Sequence, residues 1–155
     1  YLEGTWDIGS LSRTAWIDYG VNDYPRAAGT ASSSNYIYNH ELGDTDDGSA
    51  MTSFIESADF DLDPAGEQFM FLTRLIPDID ITSGTSATVD YIIKTRDYPG
   101  DTLATNSTNS VSSTTQQAFL RARARQAAIR IESSSADIAW TLGDLRLEAR
   151  PDGKR

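Results

Sequence analysis

The stretch "FLRARARQAAIRIESS", residues 119–134, decides the fold because it fits two different structures. Residues 115–132 are rich in Ala, Gln, Arg and Leu, all good helix formers, and Leu120, Ala124, Ala127, Ala128 and Ile131 fall at i, i+4, i+7, i+8 and i+11. Read instead as a strand, Leu120, Ala122 and Ala124 share one face, opposite Arg121, Arg123 and Arg125. Beyond Gln126 the apolar side passes to Ala127, Ile129 and Ile131, which demands a bulge. Propensity alone does not separate the two.

The rest of the chain argues for strands, because its apolar residues recur mostly with period two. "FIESADFDLD" (54–63) sets Phe54, Ala58, Phe60 and Leu62 against Ser57, Asp59, Asp61 and Asp63. "EQFMFLTRLIPDIDI" (67–81) is more continuously apolar, as a strand covered on both faces would be. "ATVDYIIKTR" (87–96) alternates Val89, Tyr91 and Ile93 with Asp90 and Lys94. "DIAWTLGDLRLEAR" (137–150) aligns Ile138, Trp140 and Leu142, then changes phase at Gly143 in favour of Leu145 and Leu147, the mark of a bulge or tight bend.

Turn signals punctuate these runs at short intervals: "DTDDGS" (44–49), "LDPAGE" (62–67), "TSGTS" (82–86), "DYPGD" (97–101) and "ESSSAD" (132–137). "ATNSTNSVSSTT" (104–115) reads as a polar loop or hairpin tip, and 20–35 as a connector. The expected fold is therefore all-β: an antiparallel β-sandwich, jelly-roll-like or barrel-like, with short strands and little helix. The expected organisation is an N-terminal arm and connector over 1–35 and a β-sandwich domain over 36–155. Within the first part, 1–19 reads as an arm or a strand contributed from elsewhere.

At 155 residues the chain is long enough to bury a core without staples. It has no cysteine, so disulfides and thiolate metal sites are excluded. Thirteen Lys and Arg against twenty-three Asp and Glu give a formal net charge of −10, which opposes broad attachment to nucleic acid or to anionic membranes. No apolar run approaches the length of a spanning helix, and no basic-then-apolar leader opens the chain. The expectation is a soluble protein without membrane insertion. The chain opens at Tyr1, as a processed or partial piece of a longer polypeptide would.

Each candidate site also has a plainer reading. His40 is the only histidine and no G-x-S-x-G turn is present, so a serine triad lacks its parts; His40 reads as a strand-end surface residue. A pair of carboxylates for glycoside hydrolysis is defined by separation in space, which sequence does not give. "DTDDG" places Gly48 where a calcium loop needs its third acid, and no closing glutamate follows; Asp47-Gly48 suits a tight hairpin turn instead. "NST" (106–108) matches a glycosylation acceptor without a secretory leader. No cofactor is expected.

Three explanations compete for Arg121, Arg123 and Arg125. One is a strip of guanidinium groups that meets phosphates. A second is contact with acidic surface on a neighbouring subunit. The third pairs them internally with Asp59, Asp61 and Asp63, which share the two-residue spacing and would form a cross-strand ladder if the two strands lay side by side. Trp6, Trp16, Tyr19, Tyr24, Tyr36 and Tyr38 are either a sugar-stacking platform, or core and interface anchors.

"YIYNHELGDTDDG" (36–48), "SFIESADFDLDPAGEQFMFLTRLIPDI" (53–79), "IIKTRDYPG" (92–100), "RARARQAAIRIESS" (121–134) and "WTLGDLRLEARPDGKR" (140–155) resemble, in order and character, the C-terminal portion of virion structural proteins of tailed bacteriophages. The nearest likeness is to the tail nozzle or tail-tube component of short-tailed phages, over about residues 36–155. The resemblance implies a β-rich domain of the phage tail and a ring of identical subunits, expected to be six-fold. It also implies other tail proteins such as an adaptor as partners, and DNA only as passing cargo. It implies no catalytic residue, and it favours strand over helix for 119–133. An acidic domain suits a DNA conduit, because attraction to the passing phosphates would slow their exit.

Overall fold

The computed structural model describes residues 12–31, 34–63, 65–82 and 87–154; Trp6 and most of the "TSGTS" turn lie outside the described residues. Among those residues the chain forms fourteen β-strands and no helix. It divides into two compact units, Tyr1–Gly43 and Asp44–Arg155.

The first unit is an antiparallel sheet in the order β1 (Ala15–Ile17), β2 (Arg26–Ala31), β3 (Ser34–Asn39). Part of the expected connector, 20–35, is thus strand β2. Its Ala-Ala-Gly-Thr run carries no alternation to announce it, but small residues are what the pairing requires. Ala27 is flanked by Trp16 and Tyr38 across the sheet. A Cβ at Gly29 would come within 3.2 Å of the Tyr38 ring and 3.3 Å of the Arg13 stem, so glycine admits both.

The second unit opens with a hairpin, β4 (Thr45–Asp46) and β5 (Ser49–Ala50), with Asp46 paired to Ser49. Asp47 and Gly48 both take positive φ, at 50° and 81°, the tight turn that this dipeptide prefers. There follow β6 (Ser53–Glu56), β7 (Met70–Ile76), β8 (Ile79–Ile81), β9 (Val89–Arg96) and β10 (Ala104–Val111). The last four are β11 (Ala118–Ala124), β12 (Gln126–Ser133), β13 (Trp140–Leu142) and β14 (Arg146–Pro151).

A four-stranded sheet in the order β10-β9-β12-β6 packs on a three-stranded sheet in the order β11-β7-β14, all antiparallel, and β8 pairs with β13 alongside. One core joins the two sheets: Val89, Tyr91, Ile93, Ile129 and Ile131 come from the first, and Met70, Leu72, Leu75 and Leu120 from the second. This is an antiparallel β-sandwich. Burial, with the Asp78 carboxylate adding to it, pushes the Tyr91 hydroxyl up to about 12.

The ambiguous stretch is two strands belonging to different sheets. Leu120, Ala122 and Ala124 of β11 point into the core from the three-stranded sheet, the chain turns at Arg125, and Ala127, Ile129 and Ile131 of β12 point in from the other. The phase change that demanded a bulge is a corner. Ala122, Ala124 and Ala127 are all buried, and their small side chains let the sheets converge there.

Three other segments differ from the sequence reading. "EQFMFLTRLIPDIDI" is not covered on both faces: Met70 and Leu72 point inward, register slips beside Thr73 against both neighbours, and Leu75 takes over. A bulge, not double coverage, explains its apolar continuity. "FIESADFDLD" is strand only through Glu56, with one further bridge from Phe60 to Ala127. "ATNSTNSV" is the eight-residue strand β10, because an edge position tolerates polar side chains and its backbone pairs with β9.

Neighbouring positions on β11 test this arrangement. Leu120→Ala should lower unfolding free energy by about 2–5 kcal/mol, whereas Phe119→Ala, on the exposed side, should change it by less than about 0.5 kcal/mol. Urea denaturation of the two variants checks it, and equal losses would contradict the assigned faces.

Candidate functional site

The arginine row is divided between internal contacts and solvent. Arg123 Nε donates to Asp152 Oδ2 at 2.6 Å and Arg123 Nη2 to the Asp152 carbonyl at 3.2 Å. Its guanidinium lies 4.0 Å from the centroid of Phe69, and that of Arg125 lies 4.7 Å from the same ring and 5.2 Å from Tyr98. Arg125 Nη2 also donates to the Lys154 carbonyl at 3.3 Å. Both side chains thus reach past the start of β7 to fasten the residues that follow β14. Arg121 lies on the exposed side of β11 and meets no ion-pair partner among the described residues.

The three acids expected opposite this row lie elsewhere. Phe60, in their midst, bridges to Ala127 of β12 and not to β11, so no Asp–Arg ladder forms. Asp59 pairs with Arg96. Asp63 caps a turn, accepting from the Ala65 amide at 3.2 Å. Asp61 approaches Gly66 at that turn.

The cross-strand charge ladder that does form uses other residues. On the outer face of the four-stranded sheet Lys94 (β9) and Arg130 (β12) both hold Glu56 (β6), at 2.7 Å and 3.1 Å, and Arg130 also holds Glu132 at 2.6 Å. Hydrogen bonds from Lys94 and then Arg130 hold the Glu56 carboxyl below the ordinary glutamate range, against a smaller upward push from burial. Arg130 also stacks 3.6 Å over Phe54. Single-residue spacing did not announce this network, because its members meet only through strand order.

Between the edges β6 and β14 the sandwich is open. An apolar groove of about 490 Å³ runs there, with Ile129 and Ile131 of β12, Ile55, Phe60 and Leu62 on one side, and Leu142, Leu145, Leu147 and Ala149 on the other. Ile55, not Phe54, shares this surface with Phe60 and Leu62; the phase slips at Ser57, whose amide and hydroxyl both bond to the Ile129 backbone. Gly143, which precedes β14, is not a bulge. Its amide donates to the Asp78 carbonyl at 2.8 Å, and a Cβ there would lie 2.5 Å from an Asp78 carboxylate oxygen. The glycine lets β13 pass to β14 beside Asp78, which sets the wall of the groove.

In the first unit Trp16, Tyr36, Tyr38 and His40 share one sheet face with Arg13. The Trp16 and His40 rings are tilted by 47°, and Tyr36 and Tyr38 by 50°. Arg13 Nε donates to His40 Nε2 at 3.1 Å, so the only histidine is occupied by a neighbour. Tyr19 bonds to Glu41, which raises the phenol above its ordinary range. Among the described residues no three His, Asp or Glu side chains gather as metal ligands would. No protein-family model and no curated protein sequence matches the chain.

The Glu56 ladder sets a pH dependence. Because the folded carboxyl titrates below the unfolded one, its contribution is complete above the ordinary glutamate range and is lost as pH falls through the lowered folded value. Glu56→Gln should cost about 0.5–1.5 kcal/mol at neutral pH and flatten the acid limb of the stability profile. Denaturation midpoints between neutral and acidic pH measure both, and an unchanged acid limb would remove Glu56 from the account.

Proposed function

We propose that this chain is a non-enzymatic structural component of a bacteriophage tail, of the nozzle or tail-tube type, located in the virion. Its copies close a ring, six-fold by the family resemblance, through heterologous contacts around the path of the genome. The observation that carries the reading is the groove between β6 and β14: apolar surface flanked by two strand edges that no other strand pairs among the described residues. Soluble monomers seldom leave such a surface bare, whereas assembled subunits cover it. The net charge of −10 supports it further, since a negative wall repels the passing duplex. Identical subunits and other tail proteins such as an adaptor are the partners in this reading.

A second reading, a carbohydrate- or receptor-binding module of the tail, draws on the aromatic face of the first unit. Its rings are tilted, not coplanar, which favours interface anchors over a flat sugar platform. Titration of tryptophan fluorescence with host polysaccharides separates the two: saturable quenching selects the module, and a flat response across a glycan panel dismisses it.

Sedimentation of the full-length protein and imaging of purified particles test the assembly reading. A closed ring containing this chain is expected, and a full-length protein that is monomeric under all conditions and absent from virions would overturn it. Within that assembly the arginines should part company. Arg123→Gln should lower stability by about 1 kcal/mol through loss of the Asp152 and Phe69 contacts, while Arg121→Gln should leave thermal stability unchanged and weaken association. Melting curves and sedimentation of the two variants give the comparison.

A further inference from the structure

The outer face of the three-stranded sheet carries charge unlike that of the other sheet. Arg121 and Arg123 of β11, Arg74 of β7, and Arg146 and Arg150 of β14 lie on it, with Glu148 as the one acid on its strands. Two of the five arginines are matched: Arg74 holds Glu148 at 2.9 Å, and Arg123 holds Asp152, just past β14, at 2.6 Å. Arg121, Arg146 and Arg150 are exposed and meet no ion-pair partner among the described residues. The face therefore carries +3, and the rest of a chain whose total is −10 carries −13. The residues outside the described ones hold two acids, Glu3 and Asp7, and one base, Arg155, so they cannot neutralise it. On the outer face of the four-stranded sheet, by contrast, Glu56 and Glu132 match Lys94 and Arg130.

The basic face also carries apolar anchors. Phe71 lies between Arg123 and Arg150 in the strand register, with the Arg150 guanidinium 5.1 Å from its centroid. Phe119, across from Arg74, is 74% exposed. A recess of about 250 Å³ opens between Arg74 and Arg146, beside Ile76. Arginine and phenylalanine are residues that protein interfaces concentrate, and a recess admits a partner's side chain. We infer that this face docks the acidic surface of a second copy of the chain. One molecule supplies both signs of charge, so the contact sets +3 on one copy against part of the −13 on the next. Two basic faces cannot meet each other, because like charges would oppose across the interface. The contact is therefore heterologous, the kind that closes a ring. A nucleic acid would have to enter against the field of the acid surplus, which a second copy turns to use.

The inference rests on the assembly reading above and identifies one face of its contact. Full-length chains carrying Arg121→Glu, Arg146→Glu and Arg150→Glu together test it, with the three corresponding Gln substitutions as the milder form. Sedimentation at about 50 mM salt should show self-association weakened about a hundredfold by the Glu triple and about tenfold by the Gln triple, with melting temperatures unchanged. Raising salt to about 500 mM should weaken the wild type toward the Gln triple. The Glu triple keeps its acidic surface, so mixing it with wild type should give open species in which it is the terminal subunit. Undiminished association of both triples, in a protein that sedimentation shows to be oligomeric, would overturn the inference and leave the ring standing. A wild type that stays monomeric would overturn both. Lower melting temperatures with unchanged association would place the arginines in contacts within one chain and overturn it too. A labelled oligothymidylate of about 20 nucleotides, bound by wild type and not by the triples while self-association is unaffected, would give the face to nucleic acid instead.

Discussion

Between Ala124 and Ala127 the polypeptide leaves one sheet and enters the other while keeping its apolar side toward the same core. Period-two alternation cannot survive such a crossing unbroken. The ribbon must turn, and the inward set must change from even to odd positions as it does. Leu120, Ala122 and Ala124 before the corner, and Ala127, Ile129 and Ile131 after it, satisfy that condition, and the alanines keep the convergent end thin. A core built this way binds the two sheets covalently at one side. On the other side, the edges β6 and β14 are not consecutive in the chain and face each other across the groove.

Once the inner faces are given to apolar residues, charge is left to the outer faces and to the chain ends. There it is arranged locally. Lys94, Glu56 and Arg130 tie three neighbouring strands, and Arg123 with Arg125 ties the residues after β14 to the start of β7. None of these groups is deeply buried, so each pair contributes little alone, and their value lies in fixing which strand lies beside which. The large surplus of acid remains on the surface and gives the molecule its long-range character.

The strands most legible in the sequence are those with one plain apolar face. Val89, Tyr91 and Ile93 in β9, and the shift from Leu142 to Leu145 around Gly143, are found where alternation put them. Strands are hidden where alternation is interrupted or absent. A bulge at Thr73 made β7 look apolar on both sides, an alanine-glycine run hid β2, and serine, threonine and asparagine hid β10. The arginine spacing was visible, but its partners were not, since Asp152 and the Lys154 carbonyl become neighbours of β11 only through β7. The groove was beyond reach for a deeper reason. It is made by two sheet edges that lie far apart in the chain and come to face each other only in the folded sandwich.

The open groove also bears on solubility. A free edge beside exposed isoleucine and leucine would recruit any passing strand unless something limits it. β6 is only four residues long, and the free edge of β14 carries Arg146 and Arg150 and ends at Pro151, which has no amide to donate. A short strand, charged side chains and a proline of this kind discourage indiscriminate edge-to-edge pairing. What they leave unguarded is the apolar floor between the edges, where Ile129 and Ile131 meet Leu145 and Leu147.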